Sequence, residues 1–117
     1  MAVDLSATAR HASGTVAIRA ALDATAGDVV AITLPSWCRV LDIYVKQSDD
    51  STDDTGKLAT TGTDSAAVGN NWFPIPAGQG LTINTGLTIT QPAASPPVIY
   101  LAAATASAYA HLLLRER

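Results

Sequence analysis

Hydrophobic residues recur at every second position along much of this chain, the mark of strands that bury one face and wet the other. The alternation is clearest from Cys38 to Gln47, where Leu41, Ile43 and Val45 fall on one side and Asp42, Tyr44 and Lys46 on the other. Val30, Ile32 and Leu34 repeat it just upstream, with Pro35-Ser36 between the two runs. Leu81 and Ile83 alternate with Thr82 and Asn84, and Leu87 and Ile89 with Thr88 and Thr90. Near the end, Ala110, Leu112 and Leu114 alternate with His111, Leu113 and Arg115, while residues 98–103 open with β-branched and aromatic side chains. Val16 and Ile18 alternate with Ala17 and Arg19, which favours a strand and then a turn over an Ala-rich helix capped by Gly27.

Turn-forming clusters separate these runs: Ala26-Gly27-Asp28, 48–56, Gly69-Asn70-Asn71, 74–80 and 91–97. Short strands at a spacing of about ten residues predict an all-β fold, a single β-sandwich of roughly seven or eight strands of jelly-roll or Greek-key type. Proline cannot donate to a central ladder, so the segment carrying Pro92, Pro96 and Pro97 reads as an extended crossover loop. Residues 1–13 show no clear strand pattern and read as an N-terminal arm, with the sandwich domain over 14–117.

Composition sharpens the functional side. The 117 residues make one domain's worth of chain, and only 15% are charged, against about 25% in ordinary globular domains. So neutral a surface suits subunit contacts, and an oligomer is expected. The net charge of −3 without any Lys/Arg cluster argues against a nucleic-acid partner, which would need a basic patch to replace phosphate counterions. Cys38 is the single cysteine, so neither an internal disulfide framework nor a Cys-based metal cluster can form. The amino end lacks the basic and apolar segments of a signal peptide, and no run approaches the ~20 apolar residues of a membrane span. The expectation is a protein made in the cytosol, with no membrane partner.

Candidate chemistry is sparse. His11 and His111 are the only histidines, too few beside one cysteine for a zinc site. A Cys38–His111 nucleophile pair is conceivable, but Trp37-Cys38-Arg39 carries no catalytic signature and an isolated cysteine is usually a packing residue. Asp49, Asp50, Asp53 and Asp54 could gather around Ca²⁺, yet their spacing is not that of an EF-hand, and a solvated loop is the preferred reading. Glu116 is the only glutamate, which leaves little for a glycosidase carboxylate pair. No catalytic residue, cofactor or metal is therefore expected, and the protein reads as a non-enzyme. Trp72-Phe73 has two readings: an exposed platform, or one ring plugging the sandwich end while the other covers it. The small-residue run 102–108 allows close backbone approach, at a tight turn or at a subunit contact.

Three stretches carry a resemblance: Val29-Val-Ala-Ile-Thr-Leu-Pro35 running into Arg39-Val-Leu-Asp-Ile-Tyr-Val45, then Asn71-Trp-Phe-Pro-Ile-Pro-Ala-Gly78, and Val98-Ile-Tyr-Leu-Ala-Ala103 with the final strand to Leu114. In that order they resemble small β-sandwich structural proteins of tailed bacteriophages, above all capsid decoration (cement) proteins and head-fibre bases. These are strand-and-turn patterns rather than catalytic motifs. The resemblance implies a virion protein on the capsid surface that strengthens the shell through contacts with the major capsid protein and with copies of itself, as a trimer or dimer. It implies that residues 1–13 reach across the shell, with Leu5, Arg10 and His11 as partner contacts beside Trp72 and Phe73. The alternative is a receptor- or carbohydrate-binding module of a tail or fibre, using Trp72, Phe73 and Tyr44.

Overall fold

The computed structural model describes residues 2–59, 72–84 and 98–116. They form nine strands: β1 (Ala2–Asp4), β2 (Thr15–Ala21), β3 (Val30–Thr33), β4 (Val40–Lys46), β5 (Gly56–Ala59), β6 (Phe73–Ile75), β7 (Leu81–Asn84), β8 (Val98–Ala103) and β9 (Tyr109–Arg115). One sheet has the order β1-β3-β8-β5-β6 and the other β2-β9-β4-β7. The antiparallel pairs nest, β2 with β9, β3 with β8, β4 with β7 and β5 with β6. Nesting of this kind comes from one long hairpin rolled across two sheets, as in jelly rolls, which themselves contain Greek keys. The expected all-β sandwich is the fold this chain adopts.

The period-2 pattern explains the core. Register aligns Ile18, Leu112, Ile43 and Leu81 in one row across the four-stranded sheet, and Val16, Leu114, Leu41 and Ile83 in the next. Across the sandwich stand Val30, Leu101 and Leu58, then Ile32 and Ile99. All of these but Val16 meet in one cluster with Leu34, Val45 and Ile75, Ile18, Leu81 and Ile83 being its partly buried margin. Burying each such side chain stabilises the fold by roughly 1.5–3 kcal/mol before entropy is charged against it. Trp37, half-buried against this cluster, is the ring that packs on the core from the β3–β4 loop.

Three strands were not legible as such. β6 contains Pro74, which an edge position tolerates, and among the described residues no strand lies beyond β6 to need its missing N–H. β5 begins at Gly56, where a Cβ would stand 3.0 Å from Val45 Cγ2 and 3.2 Å from the Ala102 carbonyl; the acidic loop hands the chain straight into a strand. β1 corrects the strandless reading of residues 1–13. It pairs parallel with β3, Val3 opposite Ile32, too briefly to produce an alternation. The segment after it is also held on its own domain. Leu5 N donates to Thr33 O (2.8 Å), Trp37 Nε1 to Thr8 O (2.8 Å), and Arg10 to both Glu116 oxygens (2.7 and 2.8 Å). The expected strand at Leu87–Ile89, the Pro92–Pro97 loop and Gly69-Asn70-Asn71 lie outside the described residues.

Candidate partner-binding site

Trp72 and Phe73 are exposed, at 40% and 61%, so neither ring plugs the sandwich end. The strand pleat sends them to opposite sides of the β6 edge. Phe73 pairs with Leu58 on the inward row but spills past the last strand. Trp72 lies on the outer side, where Lys57 Nζ sits 4.5 Å from its ring centroid, a cation–π contact. Beside it runs a groove of about 380 Å³ lined by Gly27, Lys57, Pro74, Pro76, Ala102 and Ala104. The small-residue run makes this possible. Ala103 and Ala108 are buried where β8 turns into β9, and Gly27 N donates to Ala103 O at 2.9 Å. A neutral floor beside the exposed Trp72 ring can meet an apolar partner surface with little polar desolvation.

A second groove, about 600 Å³, lies on the outer face of the four-stranded sheet. Tyr44, Gln79 and Thr82 stand on one side, Arg19 and His111 on the other, over Ala17 and Leu113. The Tyr44 hydroxyl donates to Gly78 O (3.0 Å), and the ring rests on Gly80. Gly80 has φ +69°, and a Cβ there would lie 2.7 Å from the Tyr44 ring, so glycine is required. Tyr44 therefore shares no groove with Trp72 and Phe73, and the three aromatics do not form one platform.

At the end of this face Asp50 accepts from Arg19 Nη1 (2.8 Å), and its other oxygen lies 2.6 Å from His111 Nε2. Arg19 in turn stacks over Tyr109, 4.5 Å from the centroid. Asp50 holds φ +59°, a left-handed conformation that aspartate tolerates better than most residues. The hydrogen bond with His111, and next that from Arg19, hold the Asp50 carboxyl below the usual carboxylate range. A depressed folded-state pKa contributes stability that is present above the unfolded value, about 3.9, and is lost as pH falls through the folded one. Asp50→Asn, which keeps the left-handed backbone acceptable, should thus lower the melting temperature at pH 7, and the gap to wild type should narrow progressively below pH 4. Melting curves between pH 7 and pH 2 check this, and a gap independent of pH would refute it.

The remaining candidates do not assemble into reactive chemistry. Cys38 is buried, with Sγ 3.4 Å from Val40 O, and burial pushes its thiol pKa up, opposite to what a nucleophile needs. His111 pairs with Tyr44 on the outer face, so the conceived Cys38–His111 pair does not form. Asp49 accepts from Ser51 N, Thr52 N and Thr52 Oγ1 in its own turn. Asp53 pairs with Lys46, and Asp54 turns inward to Thr55 and Thr105. The four loop carboxylates therefore face different partners, and among the described residues no group of three or more His, Cys, Asp or Glu could hold a metal ion. His11 Nδ1 sits 2.8 Å from Ser13 Oγ. Leu5 packs against the core and Arg10 on Glu116, so these two arm residues contact the sandwich, while the exposed His11 side chain meets Ser13 within the arm.

Comparison with protein-family models, with curated proteins and with solved structures finds no match to this chain.

Proposed function

We propose that this protein is a non-enzymatic structural protein that works by contact with other proteins, as a capsid decoration protein on the head of a tailed phage. The observation that carries the reading is the Trp72–Phe73 edge: two exposed rings flank β6, the outermost strand of its sheet among the described residues, and Trp72 stands beside a groove floored by alanine and proline. Aromatic anchors of this kind dominate protein–protein contacts. In this reading the partners are the major capsid protein and copies of this chain, and the protein resides on the virion surface. In this reading the arm's exposed His11 is available to a partner, while Leu5 and Arg10 are engaged by the sandwich domain.

The test is cosedimentation of purified protein with phage heads that lack it. The Trp72→Ala/Phe73→Ala double variant, folded because both rings are exposed, should bind at least about thirtyfold more weakly, the loss expected for hot-spot aromatics. Equal binding by wild type and variant would reject this edge as the contact. A second reading, recognition of a glycan, is favoured by the Tyr44 groove, where an exposed ring stands beside Gln79, Arg19 and His111. Glycan binding lost on Tyr44→Ala would establish that reading instead.

A further inference from the structure

We propose that two copies of this chain pair antiparallel through the free edge of β2, about a two-fold axis at Ile18, to make one continuous eight-stranded sheet. The proposal deepens the contact-protein reading by naming the self-interface, and it needs no capsid. Among the described residues β2 is the outermost strand of its sheet, with β9 on one side only. Its bonding parity is fixed at both ends: Leu22 N donates to Ala108 O and Glu116 N to Gly14 O, both 2.9 Å, in the register of β2 with β9. Even-numbered residues therefore bond to β9, while Thr15, Ala17, Arg19 and Ala21 direct their N–H and C=O groups outward.

A row of outward donors and acceptors is a template for another strand, and natural edges are blunted by proline, lysine, bulges or brevity. The other edges carry such features. β6 contains Pro74, β1 is three residues long and β7 four. β2 has seven residues, no proline and one charge, and that charge is turned away. Arg19 lies over Tyr109 and on Asp50, both across its own sheet rather than over the edge.

The sequence is also self-complementary. With Ile18 opposite its twin, all seven residues overlap: Thr15 meets Ala21, Val16 meets Ala20, and Ala17 meets Arg19. Outward-bonding residues then face outward-bonding residues, as the ladder requires. The two arginines are not opposite each other, so no like charges face across the junction. The half-buried Val16 and Ile18 at the open side of the core continue against Ala20 and Ile18 of the second copy.

Sedimentation of the isolated protein tests this, with three variants at the exposed Ala17, whose N–H takes no part in the β2–β9 ladder. Wild type should sediment as a dimer at micromolar concentration, with the Ala17 and Arg19 amides protected from hydrogen exchange. Ala17→Pro should be monomeric with an unchanged circular dichroism spectrum. Ala17→Lys, facing Arg19 of the other copy twice, should weaken the dimer by roughly twofold to thirtyfold, and Ala17→Glu should tighten it over the same range. A wild-type monomer, a trimer, or equal effects of Lys and Glu would overturn the pairing. A monomer that still coats phage heads would refute this pairing alone and leave the contact reading standing.

Discussion

Leu112→Ala should lower the free energy of unfolding by about 2–5 kcal/mol, while Leu113→Ala next to it should change it by about 1 kcal/mol or less. Leu112 sits at the centre of β9, between Ile18 and Ile43, and is 2% exposed. Truncation there removes buried methyl groups and leaves a cavity that two flanking strands cannot close. Leu113 points to the outer groove and borders no core residue of its own row. Urea unfolding of both variants, followed by far-ultraviolet circular dichroism, checks the pair. Similar losses at 112 and 113 would mean that the register of β9 is wrong by one residue, since a single slip exchanges the two faces.

Asp54→Ala should cost about 2–4 kcal/mol. Asp54 is the one buried charged or polar residue among the described ones, 5% exposed. Its carboxylate accepts from Thr55 N (2.9 Å), Thr105 N (3.2 Å) and Thr105 Oγ1 (2.7 Å), which ties the acidic loop to the β8–β9 turn. Removing it takes the charged acceptor away from two backbone N–H groups and a hydroxyl in a part-buried setting, where hydrogen bonds to an ionised group are worth more than neutral ones. Asp53→Ala is the control, because its pairing with Lys46 lies at the surface and such pairs contribute little. Denaturation midpoints of the two variants at pH 7 decide it. Equal midpoints would show that the inward turn of Asp54 does not hold the loop.

These contrasts show what was legible beforehand. Alternation identified β2, β3, β4, β7 and β9, because each has one buried face and the side-chain period of a strand is 2, and the β-branched and aromatic opening of residues 98–103 identified β8. It missed β5 and β6, whose signals are cut short by Gly56 and Pro74, and β1, which depends on a partner some thirty residues away rather than on its own pattern. Trp72 and Phe73 could be named from sequence as interaction candidates, but whether they were exposed depended on β6 being an edge. The Arg19–Asp50–His111 cluster was out of reach, since its members are separated by 31 and 61 residues and meet only when β2, β9 and the acidic loop converge. Four aspartates in one loop looked alike in sequence; only packing separates the buried Asp54 from its exposed neighbours.

The contact-protein reading is tested most directly in the particle itself. Phage particles purified from cells that carry the chain's native genome can be assayed by quantitative mass spectrometry for this chain against the major capsid protein. The expected result is a fixed whole-number ratio between the two, retained through density-gradient purification. Particles that lack the chain while it accumulates in the soluble fraction would contradict the reading.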